Sequence, residues 1–323
     1  MVSEQRAGAL TLGLDIGGTK VHGVLVDCAD DVPQVRFAAR RPTAHGVDGV
    51  VDSAADVVAD LLGEAGLRIE DVVAVGVGVP GIVDPVTEVV SHAVNLGIEG
   101  SVPLGALLAA RLGVRVRLDN DLNAAALGAA LRTEGGARRA DLAYLALGTG
   151  VAAGLVLDGT VRRGGSGAAG EIGHIPWVPD GLACPCGQRG CLEQYASGAA
   201  LDAAWPSRTG RPSPVEIFEA ADAGDEDAIR VRDTFARAVA GAVRVLVLTC
   251  DVRHVVLGGG VSAIGHPLLD AVRAALADQA ADSPFLRAMR LAERVVLAPA
   301  ELPVAAIGAA LLATGSSERL EVN

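Results

Sequence analysis

The chain has 323 residues, of which 50% are hydrophobic and 20% charged, with a formal net charge of −12. That length and apolar content suffice for two domains with cores of their own and exclude a disordered chain. The acidic balance excludes a nucleic-acid surface, which needs clustered Lys and Arg, so any phosphate must be held locally by backbone amides, a cation or a metal.

In chain order, Leu10 to Asp27 (LTLGLDIGGTKVHGVLVD) alternates and turns at Gly17-Gly18, which predicts a hairpin. Val50 to Leu62 has helical spacing, and Val72 to Val79 reads as a buried strand stopped by Pro80-Gly81. Val114 to Leu118 predicts a short strand ending at Asp119-Asn120-Asp121, followed by a helix over Ala124 to Leu131 in strong helix formers. Leu145 to Gly159 (LALGTGVAAGLVLDG) predicts a second hairpin. Asp233 to Thr249 reads as a long helix, His254 to Leu257 as a strand, Gly258-Gly259-Gly260 as a turn into another helix, and Pro303 to Ala313 as a last helix. The alternation predicts an α/β fold, and an aromatic content of 2% leaves the core to Ala, Val and Leu. A boundary is placed near Leu118. Residues 1–118, with a returning C-terminal helix at about 300–323, form a smaller α/β domain, and 119–299 form a larger one carrying the cysteine loop.

That loop, Gly167 to Cys191 (GAAGEIGHIPWVPDGLACPCGQRGC), holds three of the five cysteines, Cys184, Cys186 and Cys191, within eight residues, with His174 upstream. Three thiolates and one imidazole are what a four-coordinate structural zinc requires; accidental surface cysteines are the alternative. Four protein ligands leave no open position for water or phosphate, so zinc here would fix a loop and not catalyse. Glu171 and Glu193 lie close to this cluster in the chain, which points to a loop that handles substrate, and so to an enzyme. Cys28 and Cys250 read as small core residues. No secretion signal is read, and the longest apolar run, Leu142 to Leu157, is broken by Gly148, Gly150 and Gly154. The expectation is a cytoplasmic protein with no membrane partner, where cysteines bind metal more readily than they pair as disulfides.

The two hairpins share a plan. Gly17 matches Gly148, Gly23 matches Gly154 and Asp27 matches Asp158, all at an offset of 131 residues, which suggests two related α/β halves; two unrelated glycine hairpins would look the same. In DIGGTK (Asp15 to Lys20), Gly17 and Gly18 let backbone amides approach phosphate oxygens and Thr19 adds a hydroxyl, although a plain hairpin turn also accounts for the residues. LGTG (Leu147 to Gly150) and GGGVS (Gly258 to Ser262) are turns of the same type, and three together suit a nucleotide held in a cleft. LDNDLNAAALG (Leu118 to Gly128) puts Asn120 and Asp121 where a strand hands over to a helix. Helix-end amides keep such a carboxylate ionised, which suffices for a base in a loose phosphoryl-transfer transition state; the competing reading is a helix cap.

Together NDLNAAALG, LGTGVAAGLVLDG, GAAGEIGH and CPCGQRGCLEQYASG resemble the ROK family of sugar kinases, and among them the bacterial glucokinases, over nearly the whole chain. The resemblance implies the actin-like (ribonuclease H-like), two-domain α/β sugar kinase fold, with an interdomain cleft that closes on sugar and nucleotide. It implies Asp121 as the base for the sugar 6-hydroxyl. It also implies Asn120, Glu171, His174 and Glu193 as sugar-hydroxyl contacts, helped by Asn95 and Gly81. Gly17, Gly18, Thr19, Lys20, Gly148, Thr149 and Gly150 fall on the phosphate-holding turns, Gly259 and Gly260 on the adenosine side, and Asp15 where magnesium or its waters are positioned. His174 would serve both zinc and sugar. Implied cofactors are structural zinc and magnesium with ATP; implied partners are glucose or a related hexose, ATP and further copies of the chain in a homodimer or homotetramer.

Two departures from the family pattern bear on the substrate. Ile98 and Glu99 stand where an aromatic residue is common, and Val151-Ala152-Ala153 follows LGTG where glycines are common. Mannose, fructose, N-acetylmannosamine or N-acetylglucosamine are alternative acceptors; polyphosphate is an alternative donor, set against an acidic chain that offers it no basic track. A sugar-sensing regulator of the same family is a further alternative, set against the acidic charge and the short stretch before the first strand.

Overall fold

The computed structural model of the chain describes residues 10–29, 33–131 and 140–314. The first elements are β1 (Leu10–Ile16), β2 (Lys20–Asp27), β3 (Gln34–Pro42), α1 (Val47–Ala65), β4 (Ala74–Val79), β5 (Ile82–Asp84), β6 (Val89–Ser91), α2 (Leu104–Leu112), β7 (Val116–Asn120) and α3 (Asp121–Ala130). They are followed by β8 (Leu142–Leu147), β9 (Val151–Leu157), β10 (Thr160–Val161), α4 (Glu193–Ala196), α5 (Gly198–Ala204), α6 (Ser213–Asp222) and α7 (Glu226–Cys250). The last are β11 (His254–Gly258), α8 (His266–Ala280), α9 (Pro284–Ala288), β12 (Val295–Leu297) and α10 (Val304–Ala313).

The chain divides into two compact units. One takes the residues up to Ala140, Gly154–Ala169 and the segment from Glu301 onward; the other takes Asp141–Ala153 and Gly170–Ala300. The two main sheets have matching orders, β3-β2-β1-β4-β7 and β10-β9-β8-β11-β12. Each combines an antiparallel edge with three parallel strands, β1, β4 and β7 in the first and β8, β11 and β12 in the second. β2 begins at Lys20 and β9 at Val151, so the strand starts keep the offset of the sequence repeat.

In the first unit β4 (AVGVGV) is buried at every position, as a central parallel strand must be. α1 buries Val50, Ala54, Val57, Val58 and Leu61, one helical stripe, and stops at Gly66 in the left-handed conformation. α10 lies on the other face, where it packs on β1, β4 and α3. Small residues set the closeness of that packing. A Cβ on Gly13 of β1, Gly76 of β4 or Gly128 of α3 would collide with the α10 backbone, and one on Gly308 of α10 would collide with the Ala124 carbonyl. A break near Leu118 is thus overridden: β7 runs through that position to Asn120, α3 follows without a linker, and both stay with the first sheet. β3 was not legible because it is a mostly exposed edge strand carrying Arg36, Arg40 and Arg41, charges that protect an edge and erase its apolar alternation.

In the second unit α7 is the longest helix among the described residues. Asp225 caps it by accepting from the amides of Asp227 and Ala228, which starts it earlier than its apolar periodicity suggested. Gly241 in its middle faces Trp177 so closely that a Cβ there would enter the indole ring. Among the described residues no helix is long and apolar enough to cross a membrane.

Candidate functional site

In the first unit β1, β4 and β7 are parallel neighbours in register, Asp15 beside Gly78 and Val79 beside Asn120, so their carboxyl ends lie together. Such ends are where open α/β sheets present ligand-binding groups. Asn120 is both the last residue of β7 and the cap of α3: its Oδ1 accepts from the Leu122 amide at 2.9 Å, and its Nδ2 donates to the Gly81 carbonyl at 3.1 Å. Gly81 has φ +99°, and a Cβ there would sit 2.7 Å from the Ser91 carbonyl, so only glycine at this position lets the Gly81 carbonyl reach Asn120. Asp121 opens α3, its Oδ1 also receiving the Leu122 amide at 2.9 Å. Its charge reaches Asp15: burial first and then Asp121 push the Asp15 carboxyl up to about 7, against the pull of Lys20.

The turn from β1 to β2 is closed by the Gly17 amide donating to the Lys20 carbonyl at 2.9 Å and by the Thr43 hydroxyl donating to the Gly17 carbonyl at 2.7 Å. A Cβ on Gly18 would lie 2.7 Å from the Asn95 carbonyl, so the lack of a side chain lets the Asn95 segment approach the turn. Behind the corner lies a group with no motif to announce it. Asp119 is 2% exposed; its Oδ1 accepts from the Asn120 amide and from Asn123 Nδ2, both at 2.8 Å, and its Oδ2 accepts from Arg163 Nε at 2.9 Å and Nη2 at 2.6 Å.

In the second unit the LGTG turn is closed by the Gly148 amide donating to the Gly150 carbonyl at 3.0 Å. Two further contacts support it: the Gly198 amide donates to the Gly148 carbonyl at 2.7 Å, and Glu193 Oε2 accepts from the Val151 amide at 2.9 Å. A Cβ on Gly150 would collide with Glu193 Oε2. Gly259, at φ +81°, joins the same neighbourhood, since a Cβ there would lie 2.6 Å from the Leu147 carbonyl; Gly260 opens a short helical turn beside it. A cavity of about 750 Å³ adjoins Thr149 and Gly150, walled by α5 and α7 residues such as Leu201, Val231 and Phe235.

The four ring and sulfur atoms of His174, Cys184, Cys186 and Cys191 all lie within 4.8 Å of one another, Cys186 to Cys191 at 3.7 Å and Cys184 to His174 Nδ1 at 4.0 Å. A tetrahedral zinc with thiolate arms of about 2.3 Å has edges of about 3.8 Å, so the donor set fits that ion. The sulfurs are also supplied with donors: Gln194 Nε2 lies 3.6 Å from Cys184 and Gln188 Nε2 3.5 Å from Cys186, as suits thiolates. The Gln188 amide, then Cys184, hold the Cys186 thiol below its usual range, whereas burial pushes Cys191 up. Nδ1 of His174 faces the sulfurs, and its Nε2 stands 3.9 Å from Glu171 Oε2.

The profile of the ROK family matches residues 11–316. The chain belongs to the ROK family. It is 35% identical over 283 residues to a glucokinase of Streptomyces coelicolor, covering 82% of this chain and 86% of that one. It is 31% identical over 250 residues to an N-acetylmannosamine kinase of Haemophilus influenzae, covering 77% and 80%. Among solved structures it is similar to a ROK family glucokinase from Streptomyces griseus in complex with glucose and AMPPNP, at 32% identity and TM-score 0.74, covering 94% of this chain and 99% of that one. Its two units with matched sheets have the actin-like α/β fold of these ROK relatives.

The candidate residues of this ROK chain fall into two sets. Asp15, Gly17, Gly18, Thr19, Lys20, Gly81, Asn95, Asn120 and Asp121 lie in the first unit; Gly148, Thr149, Gly150, Glu171, His174, Glu193, Gly259 and Gly260 lie in the second with the cysteines. Of the departures from the family pattern, Ile98 is buried in the first core and Glu99 is exposed. Asp119, Arg163 and Thr43 were missed. Arg163 stands 44 residues from Asp119, and no local pattern signals a pair at that spacing.

Proposed function

We propose that this ROK family member is an ATP-dependent sugar kinase that moves the γ-phosphoryl group of ATP to the 6-hydroxyl of glucose, with Asp121 as general base. The observation that carries the reading is the β7–α3 corner, where Asp121 opens a helix close enough to Asp15 to raise its carboxyl and directly follows Asn120, itself held by two bonds. The similarity to kinases of glucose and of N-acetylmannosamine supports the reaction class.

On this reading Asp121 takes the hydroxyl proton as the sugar oxygen bonds to the γ-phosphorus and the bond to the β–γ bridging oxygen breaks, releasing ADP. A carboxylate is a weak base, but in a loose transition state the proton leaves late, when the attacking oxygen has already become acidic. The amides of the two glycine turns receive phosphate oxygens, and Gly259 and Gly260 border the adenosine. Magnesium brought with ATP would neutralise phosphate charge, and a cation near Asp15 would favour the ionised form of a carboxyl that burial and then Asp121 push up to about 7.

The residues assigned to the remaining sugar hydroxyls are Asn120, Asn95 and Gly81 in the first unit and Glu171, His174 and Glu193 in the second. Glu193 spends Oε2 on the Val151 amide, so Oε1 is the oxygen that would meet a hydroxyl. His174 Nδ1 and the thiolates of Cys184, Cys186 and Cys191 would hold a zinc, which would supply structural support to the loop. With Nδ1 turned toward Cys184, Nε2 is the ring atom of His174 left to meet a sugar hydroxyl. Free cysteines around such a site suit a reducing compartment such as the cytoplasm.

A second reading keeps the mechanism and moves the acceptor to an N-acetylhexosamine, favoured by the likeness to the N-acetylmannosamine kinase. ADP release with ATP and magnesium, measured against glucose, mannose, fructose and the two N-acetylhexosamines, separates these readings. Turnover on glucose that Asp121→Asn lowers by about 100-fold or more supports the first. Turnover on an N-acetylhexosamine alone supports the second, and silence on every sugar with zinc bound sinks both.

A further inference from the structure

The Asp119–Arg163 pair is costly to maintain. A buried carboxylate loses its water, and an ion pair of this kind returns little net stability compared with apolar residues of the same volume. Here both oxygens of Asp119 are committed, Oδ2 to two nitrogens of one guanidinium and Oδ1 to two donors on either side of Asp121. Those donors are the Asn120 amide, one residue before Asp121, and the Asn123 side chain, two residues after it. The carboxylate therefore ties the end of β7 to the first turn of α3, and the residue enclosed by that tie is Asp121. Arg163 is the only cation bonded to Asp119 among the described residues, and it is itself placed by the segment after β10, where its carbonyl accepts the Ala169 amide at 3.1 Å.

We infer that Arg163 is a positioning residue for the phosphoryl transfer: through Asp119 it fixes the β7–α3 corner so that Asp121 is held at one angle to the acceptor hydroxyl. The inference rests on Asp121 being the base. The guanidinium suits the task because its planar fork directs Nε and Nη2 to one oxygen together, which a lysine ammonium cannot do. Loss of the fork leaves Asp119 charged but free to rotate, and the Asn120 amide and Asn123 amide group lose a fixed acceptor. A small misplacement of a reacting group is enough to cost a large part of the rate, with no change in how the sugar is held.

The test compares wild type, Arg163→Lys, which keeps the charge and loses the fork, and Arg163→Gln, which loses both. The expected result is a fall in kcat of about tenfold for Arg163→Lys and about 100-fold for Arg163→Gln, with the sugar KM within about threefold of wild type. In an Asp121→Asn background, Arg163→Lys is expected to cause no further loss, because a residue that acts through another has nothing left to position. An unchanged kcat, a loss confined to KM, or losses that multiply in the double variant would overturn the inference. Arg163→Lys keeps the buried pair charged, so it decides the matter if Arg163→Gln does not fold. If the wild type transfers phosphoryl to no sugar, the kinase reading fails by itself. Amide hydrogen exchange then decides the positioning: protection at Leu122 and Asn123 should fall by about tenfold in Arg163→Lys while α1 is unchanged, and equal protection would count against it.

Discussion

The two glycine hairpins share a sequence plan and an equivalent place in their sheets, yet different neighbours hold them. The β1–β2 turn is braced by the Thr43 hydroxyl and by the close approach of Asn95, both in its own unit. The β8–β9 turn is braced by a charged group, Glu193, and by the Gly198 amide at the head of α5. Glu193 in turn follows Cys191 by two residues, so the second turn depends on the cysteine loop and the first does not. A repeat in sequence thus conveys strand register, while what a turn tolerates is set by whatever packs behind it.

The largest effect should come from breaking the brace of the second turn at its root. Cys184→Ser removes one donor of the four-residue set, and the purified variant should lose its bound zinc, about one equivalent per chain by metal analysis, and most of its activity. A variant that keeps wild-type turnover with no zinc would show that the loop needs no metal. The next effect distinguishes glycines that look alike. Gly150→Ala drives a Cβ against Glu193 Oε2, so the carboxylate must leave the Val151 amide, at a cost of about 1–3 kcal/mol for the orphaned donor. Gly18→Ala meets a backbone carbonyl at 2.7 Å and should be at least as damaging. Gly17→Ala and Gly148→Ala meet nothing closer than 3.5 Å and 3.9 Å, so their melting should stay within about 0.5 kcal/mol of wild type. If these two hold a nucleotide, ATP KM should rise without a change in melting. Equal damage from all four substitutions would remove the distinction between the glycines within each turn.

The same contrast explains what sequence could tell. The histidine and cysteine cluster was legible because its members are local, three cysteines within eight residues and a histidine just upstream, and the hairpins were legible because their alternation is short-ranged. The corner at Asp119-Asn120-Asp121 was only half legible. Its place between strand and helix follows from pattern, but the strand continues to Asn120, and the pleat turns adjacent side chains to opposite faces. That is why Asp119 goes inward to Arg163 while Asn120 reaches Gly81. Neither partner is a neighbour in sequence. The placement of α10 on the first sheet is likewise written in glycines of four separate elements, each of which alone reads as an ordinary strand or helix residue.

A smaller effect, complete at neutral pH and fading in acid, should again touch the second turn alone. Glu216 on α6 accepts from the Thr209 hydroxyl and amide, the Ser207 hydroxyl and the Arg208 amide, and these bonds pull its carboxyl down to about 2 from an ordinary value near 4.5. The folded state therefore holds the ionised form more strongly than the unfolded chain does. Its contribution is complete above about pH 4.5 and is lost as pH falls toward 2. Glu216→Gln should melt below wild type at pH 7, with the gap narrowing steadily as the pH is lowered through 4. The residues it ties follow α5, whose first amide braces Gly148, so hydrogen exchange at the β8–β9 turn should quicken in the variant. Exchange at the β1–β2 turn should not.

A local effect belongs to the first turn. Thr43→Val is close to isosteric and removes one hydroxyl, which donates to the Gly17 carbonyl from a position 8% exposed. The carbonyl loses one of its partners in a place where water has little access, so the cost should be about 1 kcal/mol by denaturant melting. The Thr43 amide still donates to the Thr19 carbonyl at 3.2 Å, which keeps the segment beside the turn and should keep the loss local. If the first turn also receives phosphate oxygens, its amides must be aimed as well as present, and ATP KM should rise a few-fold with sugar KM unchanged. A drop in stability with no change in ATP KM would mean that Thr43 supports only the fold, and that of the two turns the one braced by Glu193 carries the nucleotide.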